Sequence, residues 1–294
     1  MIDALVSYHY LRSDDQMERL VSCGRLNMIG DSGAYSAYTQ GVKIGLNEYA
    51  GWVRRWQPHL AWCACLDVLG DPQATWRNWH ELRTRGLATV PTLHVGTPNR
   101  WLHAYGEQGV DFVGLGGGLT TGDAAGIRWA ARMLAYARRH LPAMRFHGWG
   151  ISSRAVLDNL PLYSADSSGT LGVGYRFGRL RLFDPRTARD TTFYLDGHSA
   201  LRHRRLLELF YDASPEQVLH GDASNRPLLI RLMARSTALY AAWLRKRHQV
   251  TPPVYGLNPA RRGQGTRLHL VDTQVRTLLL AAQADIEPEE VTAA

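Results

Sequence analysis

The sequence predicts an α/β fold: a (β/α)8 barrel over residues 1–196, followed by a basic helical extension over 197–294. Three observations carry this expectation. Apolar runs alternate with helix-period stretches through about residue 185, the pattern of parallel strands joined by crossover helices. No Gly-x-Gly-x-x-Gly follows the first apolar run, which weighs against an open dinucleotide-binding sheet. Polar or glycine residues close most of the apolar runs, at Asp31, Asp67, His94, Gly116-Gly117, His147 and Asp166. In a barrel those strand ends share one mouth, where catalytic residues sit.

The elements follow in order. Leu5–Tyr8 reads as the first strand, and Asp14–Cys23 as a helix with Ser13 as its cap. Met28–Asp31 is the second strand. Leu46–Gln57 carries Tyr49, Trp52, Val53 and Trp56 at helical spacing, an apolar stripe that belongs to the core. Leu60–Asp67 is the third strand. Pro72–Arg85 is a helix with Asp71 at its cap and Pro72 at its first position. Ala88–His94, Val110–Leu115, Met144–His147 and Leu162–Asp166 are further strands, and Thr97–Gln108, Asp123–His140 and Arg154–Asn159 the helices between them. The eighth strand is Arg179–Phe183 or Thr192–Leu195, with the first preferred. Beyond Gly197 the stretches Ala200–Tyr211, Arg226–Gln249 and Arg267–Ala284 read as Arg-rich helices.

The chain has 294 residues, 34 of them basic and 26 acidic, for a net charge of +8. Only Lys43 and Lys246 are lysines; the other basic residues are arginines, which suit phosphate contacts. Residues 1–170 carry 16 basic and 14 acidic side chains, and residues 171–284 carry 18 and 8. This asymmetry points to a polyanionic partner for the C-terminal part, although an Arg-rich solvated surface has the same composition. Three cysteines without a Cys-x-x-Cys pattern suit a reducing, cytoplasmic setting. No apolar run approaches a membrane span, so no membrane partner is expected.

The chemistry lies in the strand ends. At Asn27–Ser36, an apolar run ends in Asp31, and Gly30 and Gly33 permit a sharp turn and close approach to a bound group. Asp166 stands among small residues, Ser164, Ala165, Ser167, Ser168 and Gly169. That setting leaves room for a bulky substrate. Two facing carboxylates, one a nucleophile and the other an acid/base, are the arrangement that cleaves a glycosidic bond with retention. Asp166 and Asp31 are the expected pair. Asp67 falls on the face of Cys63 and Cys65 by strand alternation, which suits hydrogen bonding to a ligand edge.

In this order, the motifs resemble those of the tRNA-guanine transglycosylase family, and more closely of its phage and bacterial relatives that place 7-deazaguanine bases in DNA. Asp31-Ser32-Gly33-Ala34-Tyr35-Ser36 resembles the family's Asp-Ser-Gly-Gly-aromatic motif, and Leu66-Asp67 its base-recognition Asp. His94-Val95-Gly96 stands where the family has Gln-Gly-Gly, and Leu115-Gly116-Gly117-Gly118 resembles its Ile-Gly-Gly-Leu turn. Gly148-Trp149-Gly150 resembles a Gly-Val-Gly segment, and Ala165-Asp166-Ser167 the nucleophile's Phe-Asp-Cys. The likeness covers residues 27–170, about half of the chain.

This resemblance implies exchange of guanine in a polynucleotide for a free 7-deazaguanine base. Asp166 would be the nucleophile and Asp31 the general acid/base. Ser32, Asp67, His94 and the Gly116-Gly117 backbone would meet the base edge. Tyr35 and His147 stand where the family sandwiches the base, though a hydrogen-bonded histidine at a strand end reads the same way. His94 in place of an amide implies altered base selectivity. The family's zinc cluster has no counterpart, so neither metal nor cofactor is expected. Its loss, with the basic C-terminal part, favours DNA over tRNA. Arg176, Arg179 and Arg181, directly after the nucleophile's loop, are the expected phosphate contacts. A monomer or a homodimer fits. The alternatives are the same chemistry on tRNA, a hydrolase that removes a base, and a non-catalytic nucleic-acid-binding barrel.

Overall fold

Strands that are covered on both faces need apolar side chains at successive positions, and most of the predicted runs have them. In the computed structural model, residues 1–117, 124–151, 153–169, 178–195, 198–219 and 225–284 are described. The strands are β1 (Ile2–Ser7), β2 (Leu26–Asp31), β3 (Cys63–Ala64), β4 (Thr89–Val90), β5 (Thr92–His94), β6 (Phe112–Gly116), β7 (Arg145–Gly148), β8 (Ser164–Ser167), β9 (Arg179–Asp184), β10 (Arg189–Tyr194) and β11 (Arg267–Val271). Nine of them form one parallel sheet in the order β4-β3-β2-β1-β11-β8-β7-β6-β5. β4 and β5 are one run interrupted by Pro91, which has no N–H to give to a ladder. On one side this run pairs with β3, through Cys63↔Thr89, and on the other with β6, through Leu93↔Leu115. The Pro91 carbonyl still accepts from Gly114 N at 2.8 Å. The sheet therefore returns on itself as an eight-position barrel, and the predicted fold class stands.

The eighth position is a correction. Arg179–Phe183 and Thr192–Leu195 do not enter the barrel: β9 and β10 pair with each other as an antiparallel hairpin. The barrel is closed by β11, which lies parallel to β1 through Ala4↔Leu270 and to β8 through His269↔Asp166. Residues 197–294 thus supply a barrel strand, and the division at residue 196 cuts through the barrel. The hairpin and the helix Arg226–His248 are an insertion between β8 and β11. That helix packs on β9 and β11, and the Ser236 hydroxyl accepts the Phe183 amide at 2.9 Å.

Alternation sorts each strand into an inner and an outer face. Leu5, Ile29, Val90 and Phe112 join Trp62 in a cluster inside the barrel, where Trp62 and Phe112 meet edge to face at 5.1 Å. Ala4, Val6, Met28, Leu93 and Val113 face outward, toward helices that contribute Trp52, Trp79 and Met133. The stripe Tyr49, Trp52, Val53 and Trp56 is buried in this layer, on the helix Leu46–Trp56. Asp71 caps the helix Pro72–Thr84 by accepting from Ala74 N at 2.8 Å. Ser13, by contrast, makes no side-chain cap bond. The parity that buries Leu5 and Ile29 carries Ser7 and Asp31 to the inner face at the C-terminal end, where the two are in register. Among the described residues no helix is long and apolar enough to cross a membrane.

Candidate active site at the barrel mouth

The segment after β2 fixes the first carboxylate. Gly33 has φ +73°, and a Cβ there would stand 2.7 Å from Ser7 Oγ and closer still to His9 Cβ. Only glycine combines that backbone with that approach. The turn brings Gly33 N within 3.0 Å of Asp31 Oδ2, to which it donates. Burial pushes the Asp31 carboxyl up to about 7, against the pull of the Gly33 amide, and the charges of Asp67 and Asp166 push the same way. A carboxyl poised near neutrality can give a proton and take one back.

A second group is built around Asp67. Asp67 Oδ2 accepts from His94 Nε2 at 2.8 Å, and Oδ1 receives a long contact of 3.4 Å from the Ser32 hydroxyl. Since the carboxylate only accepts, His94 carries its proton on Nε2. β3 ends at Ala64, so strand alternation does not reach Asp67. Cys63 and Cys65 stay in the outer layer, buried, with the Cys63 thiol pushed up to about 12, while Asp67 turns to the mouth. Gly117 has φ +70°, and a Cβ on it would lie 3.2 Å from His94 Cβ. The backbone from Gly116 to Gly117 thus runs against the His94 ring. Gly118 lies outside the described residues.

The third carboxylate is the most firmly held. Asp166 Oδ1 accepts from His147 Nε2 at 3.1 Å and from Gly150 N at 3.0 Å. His147 Nδ1 meets the Ser164 hydroxyl at 2.8 Å. A carboxylate cannot donate, so Nε2 bears the proton and Nδ1 accepts from Ser164. His147 is fully buried, and its ring lies 4.9 Å from Trp62 and 4.2 Å from Trp149 in edge contacts. Burial lowers its pKa although Asp166 opposes this, which keeps the imidazole neutral near pH ~7. His147 therefore offers no stacking face. It orients Asp166, as its reading as a hydrogen-bonded strand-end histidine anticipates. Among the described residues no hydrogen bond falls on Asp166 Oδ2; both bonds to this carboxylate are made through Oδ1.

Tyr35 stands on the helix Ala34–Thr39, 67% exposed beside this mouth. Trp149 had no assigned role in the sequence. It is partly exposed, donates to Thr92 Oγ1 at 3.1 Å and lies across Gly114 and Gly116.

A cavity of about 410 Å³ opens on the other side of Asp166, lined by β8, β11, the hairpin and the helix Arg226–His248. Arg179 and Arg181 line it with Asp190, and both arginines are exposed. Asp31, Asp67 and His94 are not part of its lining, so of these groups and Asp166 only Asp166 borders the cavity. His269, which sequence reasoning placed in a helix, also lines the cavity. Arg176 lies outside the described residues.

Much of the remaining basic charge is occupied. Arg245 and Arg247 donate to the Thr266 and Asp158 carbonyls, and Arg261 and Arg262 to those of Leu26 and Pro253. Arg267 donates to Asp3 at 2.5 Å and 2.8 Å, at the N-terminal end of the barrel. Arg247, Arg261 and Arg267 thus tie the C-terminal part to the earlier strands and loops; the exposed arginines that line the cavity are Arg179 and Arg181 of the hairpin. Among the described residues no set of three or more His, Cys, Asp or Glu side chains is arranged to hold a metal ion.

Comparisons of the chain with protein-family models, with curated proteins and with solved structures give no match.

Proposed function

We propose that the protein is a pentosyltransferase that exchanges guanine in DNA for a free 7-deazaguanine base through a glycosyl ester on Asp166. The observation that carries this reading is the division of labour among three carboxylates at one barrel mouth. Asp31 sits near neutrality, Asp67 is bound to donors, and Asp166 is oriented through one oxygen only.

The steps balance as follows. Asp166 Oδ2 attacks the anomeric carbon of the target nucleotide while the bond from that carbon to the base nitrogen breaks. The bonding pair leaves with the base, which takes the Asp31 proton. The free base then exchanges with its 7-deaza analogue. Asp31, now a carboxylate, takes the proton from the incoming ring nitrogen, that nitrogen attacks the anomeric carbon, and the ester bond breaks to restore Asp166. The sugar carries positive charge in both transition states, which the carboxylates stabilise electrostatically. Asp67 keeps lone pairs beyond those used by His94 and Ser32, enough to accept from a guanine-like edge. The Gly116-Gly117 backbone adds groups without side chains in the way. Tyr35 and Trp149 supply aromatic surface at the mouth, on which a base flipped from its stack can lie.

DNA is the proposed polymer because exposed arginines flank the nucleophile on the hairpin. Incubating the protein with labelled guanine and either DNA or tRNA tests the reading. Label in DNA is the expected result. Label in tRNA alone transfers the chemistry to tRNA, and release of free base without incorporation marks a hydrolase.

A further inference from the structure

His269 is 2% exposed, and among the described residues neither ring nitrogen has a hydrogen-bond partner. A buried imidazole with two idle nitrogens is costly, and alternation explains why it is there. Leu268 and Leu270 belong to the outer layer, so His269 between them faces inward. Its strand neighbour in register is Asp166. The ring lies 6.2 Å from His147 and 6.5 Å from Trp62, and it borders the 410 Å³ cavity. As a neutral imidazole it presents one donor and one acceptor, the complement of sugar oxygens rather than of a second charge.

The outer part of the cavity has different chemistry. Asp190 is the carboxylate of the hairpin wall. It is held by Arg154 at 3.1 Å and approached by Arg181 at 3.5 Å. Arg154 also ion-pairs with Asp158 and lies over the Tyr240 ring at 4.2 Å, which makes it part of the wall. Arg179 and Arg181 are exposed along the same hairpin face, at alternate positions of β9. The cavity therefore runs from a buried, neutral hydrogen-bonding end beside the nucleophile to a cationic rim. A nucleotide has the same sequence of chemistry, from sugar to phosphate.

We propose that this cavity is a nucleotide subsite: it holds the sugar-phosphate of the strand next to the exchanged base, with His269 on the sugar and Arg179 and Arg181 on the phosphate. The proposal rests on the base-exchange reading for its biological meaning, but the binding can be measured without exchange. Thymidine monophosphate is the probe, because it supplies sugar and phosphate and carries no guanine-like edge for Asp67. Imidazole resonances are followed by NMR, with those of His269 identified by their loss in His269→Gln. On titration, the His269 signals shift in wild type. Arg179→Ala combined with Arg181→Ala weakens binding about tenfold, as loss of charge-assisted contacts predicts, and thymidine binds more weakly than its monophosphate by a similar factor. Unmoved His269 signals at saturation, or an unchanged Kd in the double-arginine variant, overturn the proposal. The arginine variant lies on the surface and does not depend on whether His269→Gln folds. Binding that behaves as expected in a protein without base exchange retires the transferase reading and keeps the subsite. Base exchange with unmoved His269 signals does the reverse.

Discussion

Asp31→Asn should slow base exchange severely and, at neutral to alkaline pH, stabilise the protein. The native carboxyl titrates near 7, against 3.8 for an ordinary aspartate. Well below the ordinary value both folded and unfolded chains hold the proton, so burial adds no ionisation cost. Between about 4 and about 7 the unfolded chain has released its proton and the native one has not, so native stability falls as pH rises through that window. Above it, the native state carries a charge that its surroundings oppose. At ~1.4 kcal/mol per unit, the shift sets a ceiling of about 4 kcal/mol. The carboxylate is only partly buried and water screens part of its charge, which leaves on the order of 2 kcal/mol. Asparagine keeps the volume and removes the charge. Thermal melts of both proteins across about pH 4 to about pH 8 should therefore coincide at the acid end. They should separate by roughly 4–8 °C at the alkaline end, with the variant higher. A difference that does not change with pH, or a variant less stable than wild type at pH ~8, would refute burial and carboxylate repulsion as the cause of the raised Asp31 pKa.

Two further outcomes follow from the other groups. Asp67→Ala leaves His94 without its partner and removes the proposed acceptor of the base edge, so discrimination between guanine and adenine in exchange should drop by about 1.5–3 kcal/mol; unchanged discrimination would take Asp67 out of the site. DNA binding should weaken steeply with salt, and Arg179→Ala with Arg181→Ala should reduce the log–log slope by roughly 1 per lost phosphate contact. An unaltered slope would place the phosphates elsewhere.

Seven of the eight barrel positions are legible in the sequence because their strands are apolar runs bounded by helix-period segments. Their polar ends, from Asp31 to Asp166, are legible because a charged or imidazole side chain there has no packing reason to exist. The eighth is not. Arg267-Leu268-His269-Leu270-Val271 alternates polar and apolar residues, with Arg267 spent on Asp3 and His269 turned inward. It is followed within a few residues by the apolar helix Val275–Ala281, so a single helical reading spans both. The hairpin β9–β10 has the apolar character of a barrel strand because Leu180, Leu182 and Phe183 are buried, with the Arg226–His248 helix packed on β9. The net charge of residues 171–284 overstates the surface available to a polyanion, since formal charge does not distinguish a free guanidinium from one bound to a carbonyl. The role of His147 required coordinates: composition places it at a strand end, but only its two hydrogen bonds distinguish a carboxylate holder from a stacking face.

The most direct test of the proposed chemistry is to trap the ester. Guanine-containing single-stranded DNA is incubated with wild type, with Asp31→Asn and with Asp166→Asn, quenched in denaturant, and the protein-bound DNA is mapped by peptide mass analysis. The expected result is a covalent adduct on the peptide containing Asp166, in wild type or in Asp31→Asn, and none in Asp166→Asn, whose amide cannot form the ester. An adduct that persists in Asp166→Asn, or base exchange into DNA with no adduct in any of the three proteins, would contradict a glycosyl ester on Asp166.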